Sequence, residues 1–347
     1  MATSRKLAAV FLPFLCWLLF SPAYAQIKST NPYSTQHDFV VTLLGTGNPV
    51  PSVERFGTST LVQAGGKKFL FDAGRGSLIR LWQLGLTRGN LDAIFLTHLH
   101  SDHTVGLADL LMTGWVMDSF NTDAGASPLV IYGPQAIEDR IGTTETLKRL
   151  RSAFAADEYI RKNDEKLAEK GLEIVGHDIS PGVVYDQAGI KITAFKVDHG
   201  DVVEPALGYR VDYDGRSVLL SGDTRYSPDE PLLKHADGLD VLIHEVADSR
   251  KEILENPVGK AVMKHHTLPQ EAGQVFTKAQ PKLAVYSHLV LLQNSQVPAP
   301  DLSDVIKKTR ETYQGPLLVG SDLTSIIIDE DEVTVREPSL GLLPVAP

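Results

Sequence analysis

The sequence predicts an α/β protein in which two β-sheets pack together and helices cover their outer faces. Predicted strands cluster in both halves of the chain and predicted helices flank them, which is the pattern of layered sheets with outer helices. No linker rich in Gly, Ser or Pro separates the halves, so we predict one domain, residues 39–340, with a pseudo-repeat. The length of 347 residues is compatible with this, although single cores stop growing at about 250–300 residues.

Residues 1–25 are predicted to be a secretory signal rather than part of the fold. Arg5 and Lys6 precede an apolar run, and Ala23-Tyr24-Ala25 supplies a small-residue cleavage site. The apolar run is shorter than the roughly 20 residues that span a bilayer, so we expect no stable membrane anchor, an uncleaved anchor being the alternative. Cleavage after Ala25 would give a periplasmic or secreted protein that begins with a mobile leader, residues 26–38.

The composition of the predicted exported chain limits which ligands, cross-links and partners are expected. The only cysteine, Cys16, lies in the predicted signal, so neither a disulfide nor a thiolate ligand is expected. The net charge is −10, and loss of the signal would remove two more positive charges. Because an acidic protein repels polyanions at long range, nucleic acid is not an expected partner, although a local basic patch would allow it.

The first half of the chain is predicted to alternate strands and helices. Apolar runs between turn-forming residues predict the strands 39–45, 58–63, 68–71, 91–96 and 128–132. Helical spacing predicts helices at about 76–84 and 104–117. A charged stretch at about 144–171 is predicted to be a helical excursion over the core.

The second half shows the same kind of pattern. Strands are predicted at 190–197, 206–213, 217–221, 241–244, 282–287, 316–319, 325–328 and 332–336. Helices are predicted at about 269–279 and 302–313.

The strongest functional signal is Thr97-His98-Leu99-His100-Ser101-Asp102-His103, on the tight loop between a predicted strand and a helix. Neutral imidazoles together with a carboxylate are ligands that Zn²⁺ prefers. Without a metal, such a dense cluster would carry unpaired polar groups that repel or desolvate each other. The stretch therefore predicts a divalent metal site.

Further ligands are expected at the ends of other strands, because one loop cannot surround two metals. His199, Asp223 and His288 each follow a predicted strand by one or two residues. Asp72 also follows a strand and has two alternative roles, as a turn or helix-capping acid or as a carboxylate that orients a histidine.

The motif set as a whole resembles the metallo-β-lactamase-fold hydrolases. The nearest branch contains ribonuclease Z, the class II cyclic-nucleotide phosphodiesterases and certain arylsulfatases. The resemblance rests on Gly45-Thr46-Gly47-Asn48-Pro49-Val50-Pro51, Phe71-Asp72-Ala73-Gly74, the HxHxDH loop 98–103, Val197-Asp198-His199-Gly200, Gly208-Tyr209-Arg210, Gly222-Asp223-Thr224, His265-His266-Thr267 and Ser287-His288. It implies a four-layer αββα sandwich with the metals at one edge of the sheets.

The resemblance also implies roles for individual residues. It implies that His98, His100 and His199 bind one Zn²⁺, that Asp102, His103 and His288 bind a second, and that Asp223 bridges them. Mn or Fe are alternatives to zinc. His266 would assist the leaving group, with its neighbour His265 as the alternative, while Asp102 would steer the nucleophile. His244 and Glu245 are candidates to support the ligands.

The main functional prediction is an exported binuclear zinc hydrolase of small anionic esters, either aryl sulfates or phosphodiesters. Two dications, two aspartates and a hydroxide leave a core charge of about +1, which suits a singly anionic ester. A ribonuclease Z-like tRNA 3′ endonuclease is the alternative, disfavoured by the export signal and the acidic chain. A di-iron redox protein or a non-catalytic metal-binding protein is the alternative of another class. A homodimer is left open.

Overall fold

The computed structural model describes residues 37–120, 128–227, 229 and 231–338. In these residues the strands are β1 (Phe39–Gly45), β2 (Ser59–Ala64), β3 (Lys67–Phe71), β4 (Ala93–Phe95), β5 (Leu129–Pro134), β6 (Ile174–Ile179), β7 (Gly182–Gln187), β8 (Ile190–Val197), β9 (Ala206–Tyr213), β10 (Arg216–Leu220), β11 (Val241–Ser249), β12 (Leu283–Leu292), β13 (Leu317–Val319), β14 (Ser325–Ile328) and β15 (Val333–Arg336). The helices are α1 (Ser77–Gln83), α2 (Ser101–Thr104), α3 (Gly106–Ser119), α4 (Thr143–Ala153), α5 (Ala155–Asn163), α6 (Pro257–Met263), α7 (Pro269–Ala279) and α8 (Leu302–Thr309). The predicted signal, and the leader before His37, lie outside the described residues.

The strands form two sheets with the same internal pairing. The first has the order β15-β14-β1-β2-β3-β4-β5-β6, and the second has the order β13-β12-β11-β10-β9-β8-β7. In the first sheet two antiparallel pairs, β1-β2 and β2-β3, are followed by three parallel pairs from β3 to β6. The second sheet repeats this order of two antiparallel and three parallel pairs from β8 to β13. Each sheet therefore gathers the carboxyl ends of several parallel strands at one edge, where loops can meet.

Apolar side chains fill the space between the sheets. Phe71 and Phe95 of the first sheet contact Tyr209 of the second, with ring centroids 5.4 and 5.6 Å apart, and all three are almost completely buried. Burying such a side chain contributes roughly 1.5–3 kcal/mol to the free energy of unfolding. On the outer face of the second sheet, Phe276 of α7 packs on Tyr286 of β12. These contacts confirm the prediction of two sheets with helices outside.

Three elements that the sequence did not predict, β6, β7 and α6, have no fully buried residue. Strands β6 and β7 were not predicted because no residue in either is fully buried, so neither shows a clear apolar period. Helix α6 was not predicted for the same reason. Its start does carry a signal, since Asn256 caps it by accepting the Val258 N–H at 2.8 Å ahead of Pro257.

Strand β12 continues through His288, although the sequence predicted that the strand would end at Ser287. Pairing with β11 shifts between His244 and Val246, so that Ser287 and His288 together face one residue, Glu245. His288 has a φ of 45°, a left-handed conformation that is rare outside bulges and functional sites. The bulge reorients the His288 side chain without ending the strand.

Two helices, α4 and α5, occupy most of the stretch predicted as a helical excursion, and a 3₁₀ turn at Glu169–Leu172 ends it. Helix α4 buries Leu147, whereas α5 buries none of its residues. None of the helices in the described ranges combines the length and apolarity that crossing a membrane would require.

Candidate metal centre

Three strand ends and a bulge within β12 bring the candidate ligands to one place. The loop after β4 carries His98 and His100, and α2 carries Asp102 and His103. His199 follows β8, Asp223 follows β10 across Ser221-Gly222, and His288 sits in the bulge of β12. Gly222 is required at its position, because its φ is 61° and an added Cβ would lie 2.6 Å from the Leu207 carbonyl oxygen.

Asp223 lies at the centre of the cluster. Its Oδ2 is 3.3 Å from His103 Nε2, 3.5 Å from His288 Nε2, 3.6 Å from His199 Nε2 and 3.9 Å from His98 Nε2. One carboxylate oxygen thus faces ring nitrogens from four histidines. A bridging ligand between two cations would need this position.

The remaining ligand atoms form one group on each side of Asp223. In the first group, His100 Nδ1 lies 2.8 Å from His98 Nε2 and 3.3 Å from His199 Nε2. In the second, Asp102 Oδ2 lies 3.1 Å from His288 Nε2 and 3.6 Å from His103 Nε2. Ligands at about 2.0–2.1 Å from a tetrahedral zinc ion are about 3.3–3.4 Å apart, and most of these separations are close to that.

The polar atoms of the cluster fit a pair of divalent cations. Within the described part of the chain, His103 Nε2 and Asp223 Oδ1 are buried without any hydrogen-bond partner. Buried polar groups without partners are costly, and a cation between the groups would satisfy both. All seven ligand residues predicted from the sequence are brought together here.

The pKa shifts of the histidines match this use. Burial lowers the pKa of His98 well below its usual range and lowers the pKa of His199 to about 4. Both imidazoles are therefore neutral at neutral pH, which is the form that binds metal. Burial also opposes the charged form of His103, but Asp223 and Asp72 outweigh it and raise the His103 pKa well above its usual range. The proton on His103 balances the negative charge of Asp223 and Asp72, which a bound cation would otherwise balance.

Asp72 orients His103, which supports the second of its two alternative roles. Its Oδ2 accepts a hydrogen bond from His103 Nδ1 at 2.8 Å, so that Nε2 of the same ring faces Asp223. Its Oδ1 accepts the backbone N–H of Thr97 at 2.8 Å. Asp72 is buried and has a φ of 58°, so the backbone is held in an uncommon conformation to place this carboxylate.

We expect the Asp72→Asn variant to bind metal about 10–100-fold more weakly, because carboxylates that orient a metal-binding histidine have effects of this size. Competition titration with a chromophoric chelator measures the affinity. Asp92→Asn is the matched control, since Asp92 accepts the Lys68 N–H at 2.8 Å near the opposite end of the same strands and should leave metal affinity unchanged. Equal affinities in the two variants would rule out the orienting role.

His266 lies beside the cluster and is paired with Glu245. Its Nδ1 is 3.3 Å from Glu245 Oε1, which also accepts the Thr267 N–H at 3.0 Å. Burial lowers the His266 pKa, but Glu245 outweighs burial and raises the pKa to about 9. The ring of His266 is 5.1 Å from that of His199 and 5.9 Å from that of His288, measured between centroids.

His265 contributes through its backbone rather than its ring. Its carbonyl oxygen accepts a hydrogen bond from His199 Nδ1 at 2.9 Å, which turns His199 Nε2 toward the cluster. Its ring packs against Gly200, where an added Cβ would lie 2.9 Å from the ring. Of the two neighbouring rings, that of His266 lies closer to the ring of His199.

Asp322, which no sequence motif singled out, holds a loop next to the site. Its Oδ1 accepts the Thr46 N–H at 2.9 Å, and its Oδ2 accepts the Phe56 N–H at 2.7 Å and pairs with Arg80 Nη2 at 2.8 Å. Asp322 follows β13 by three residues. The rule that located Asp223, a polar residue just after a strand, would have found it.

The sequence also offers three apolar residues, Trp115, Phe120 and Tyr226, as candidates to line a substrate pocket. Trp115 is fully buried and packs on Leu172, so it belongs to the core. Tyr226 is partly buried against the outer face of the second sheet, while Phe120 is exposed. The loop that follows Phe120, residues 121–127, lies outside the described residues.

Comparison with known proteins assigns the chain to a family. A model described as "Beta-lactamase superfamily domain" matches residues 67–289. Ribonuclease Z of Mycobacterium marinum is 38% identical over 255 residues, which cover 72% of this chain and 86% of that protein. Ribonuclease Z of Mycobacterium sp. strain KMS is 37% identical over 253 residues, which cover 72% of this chain and 83% of that protein.

Solved structures show the same fold at lower sequence identity. The metallo-beta-lactamase fold protein YhfI from Bacillus subtilis has a TM-score of 0.60 and 20% identity, with 83% of this chain and 98% of that chain covered. The short form of human tRNase Z has a TM-score of 0.59 and 23% identity, with 84% and 100% covered. These neighbours confirm the fold predicted from the sequence.

Proposed function

The chain belongs to the metallo-β-lactamase superfamily, on the branch that contains ribonuclease Z, and from this premise we propose that it is a metal-dependent endonuclease that cleaves precursor tRNA near its 3′ end. The similarity to ribonuclease Z, at 36–38% identity over most of both chains, carries the proposal. The complete set of candidate ligands supports it, because a relative that had lost the reaction would have no reason to keep the cluster.

This corrects two predictions. The main functional prediction, an exported hydrolase of small aryl sulfates or phosphodiesters, is wrong, because the curated relatives at this identity are ribonucleases Z. The expectation that nucleic acid is not a partner is wrong for the same reason. The net charge of the whole chain was a poor guide, since contacts with a phosphodiester depend on the local field around the two metal positions. A core charge of about +1 suits an RNA linkage as well as a small ester.

The metals we propose are two zinc ions. Imidazole and carboxylate ligands suit zinc, and Mn or Fe are the alternatives. His98, His100 and His199 would hold one ion, Asp102, His103 and His288 the other, and Asp223 both. When bound, such a pair supplies Lewis-acid charge and an activated water at neutral pH.

The chain's own residues would position the reactants and move the protons. Burial opposes ionisation of Asp102, but the hydrogen bond with His288 and the charge of His103 lower its pKa, so it is ionised and can accept a hydrogen bond from the attacking water. His266 would donate a proton to the departing ribose oxygen. Glu245 would hold the His266 ring and stabilise its charged form.

The proposal is tested with precursor tRNA that carries a 3′ trailer, with bis-nitrophenyl phosphate and with nitrophenyl sulfate as reference substrates. We expect cleavage at one position near the 3′ end, and loss of that cleavage with a chelator. An Asp223→Asn protein purified in parallel excludes a contaminating ribonuclease. Turnover of the sulfate ester with the precursor left intact would overturn the proposal.

Export and assembly are separate proposals. We propose that residues 1–25 direct export, with cleavage after Ala25. Fractionation of cells that express a C-terminally tagged chain tests this, and N-terminal sequencing of the exported form locates the cut. Sedimentation of the purified protein tests whether it forms a homodimer.

A further inference from the structure

A groove next to the metal centre opens to the protein surface. One wall is the segment after β5, residues 134–141, and the other is the segment between β8 and β9, residues 202–205. His98 and His100 line its inner end. We call it the His100 groove. Because His100 is both a candidate ligand and part of the groove, whatever enters the groove lies beside the reacting phosphate.

The lining of the His100 groove combines apolar and planar groups. Ile141 and Val202 contribute exposed apolar surface from opposite walls, with 38% and 77% of each residue exposed. The exposed imidazole of His100 and the guanidinium of Arg140 are planar groups in the same groove. Proteins that bind single-stranded RNA stack its bases on histidine rings and arginine planes. The lining therefore favours a base over a phosphate.

The two walls are tied to each other and to the sheets. Arg140 Nη1 donates a hydrogen bond to the Val202 carbonyl oxygen at 2.7 Å. Gln135 Oε1 accepts one from Ser180 Oγ at 2.7 Å, and Glu204 Oε1 pairs with Lys196 Nζ at 2.7 Å. Fixed walls reduce the entropy lost when a ligand is ordered between them.

The size of the groove limits its occupant. Its volume is about 230 Å³, which is smaller than the roughly 300–1,000 Å³ of clefts that enclose a drug-sized ligand. One heterocyclic base fits such a space, whereas a whole nucleotide would extend out of it toward the metals. We propose that the His100 groove binds the base of one nucleotide that flanks the scissile phosphate. This inference rests on the proposed function.

The experiment removes the base from the RNA and, separately, replaces apolar side chains that line the groove. Precursor tRNAs are prepared with an abasic nucleotide immediately 5′ or immediately 3′ of the scissile phosphate. With the wild-type protein, one of the two is expected to lower kcat/KM about 5- to 150-fold, the range for loss of one stacked base. The double variant Ile141→Ser/Val202→Ser should lose a similar factor on the normal RNA and lose little more on the abasic one.

The control is Val183→Ser, which changes a residue that is 58% exposed on β7 and should behave as the wild type with every substrate. Abasic RNAs that are all cleaved at the normal rate, in a protein that does cleave precursor tRNA, would overturn the groove assignment and leave the proposed function standing. An undiminished abasic effect in the double variant would also overturn it. Failure of the wild type to cleave any of the RNAs would overturn both.

Discussion

Replacing Asp223 by Asn is expected to lower kcat/KM on precursor tRNA by about 10³-fold or more and to reduce bound metal below two ions per chain. Asp223 Oδ2 lies within 3.9 Å of ring nitrogens from four candidate histidine ligands. Removing its charge would weaken both metal positions at once, and each 1.36 kcal/mol of lost transition-state stabilisation is a tenfold loss in rate. Elemental analysis of the dialysed protein gives the metal content.

The matched control is Asp118→Asn, which makes the same change at another buried aspartate. Asp118 Oδ2 pairs with Arg88 Nε at 2.9 Å and is buried with it, so the variant should unfold at a lower temperature and still bind two ions. This separates loss of a ligand from general damage to the fold. Full metal content and normal activity in Asp223→Asn would contradict the bridging role.

The sequence predicted which candidate ligands the fold brings together, because most of them follow a recognisable strand. Strands β4 and β10 are short, buried and bounded by turn residues, so their ends could be located to within a residue or two. Asp72 follows β3 as Asp223 follows β10, and the two strands occupy equivalent positions in the repeated pairing of the sheets. A short apolar run bounded by turn residues is thus enough to predict where side chains at strand ends meet.

What the sequence could not predict depends on contacts between distant segments. The His100 groove exists because Arg140 reaches Val202, 62 residues away, and no local pattern encodes that pairing. The bulge at His288 depends on how β12 pairs with β11, which is equally non-local. The role of Asp72 could only be left as two alternatives, because it depends on which group the Asp72 carboxylate contacts in three dimensions.

The substrate class was the weakest inference, and the reason is physical. The HxHxDH loop determines how metals are held, and a pair of metals at this charge can act on several kinds of anionic ester. Substrate choice lies in the surroundings, where exposed side chains such as Val202 carry no periodic signal. Relatives named ribonuclease Z therefore corrected the prediction that the ligand chemistry alone had favoured.

The His266→Ala variant is expected to lose about 10²–10⁴-fold in kcat on precursor tRNA, the range for loss of a general acid. The decrease in kcat of this variant on bis-nitrophenyl phosphate should be much smaller, because nitrophenolate leaves without needing a proton. A residue with a purely structural role would affect both substrates alike. His265→Ala is the matched control, since His265 supports His199 through its backbone carbonyl, which the substitution keeps.

The pH dependence of kcat supplies the second readout for His266. With its pKa raised to about 9, its imidazolium persists at neutral pH, and activity that needs this proton falls as the pH rises through the pKa. Because Glu245 is what raises it, Glu245→Gln should lower the pKa of His266 and move the alkaline loss of activity to lower pH. The same variant should leave the rate on bis-nitrophenyl phosphate nearly independent of pH in that range. An unmoved alkaline limb, or equal losses in His265→Ala and His266→Ala, would exclude His266 as the proton donor.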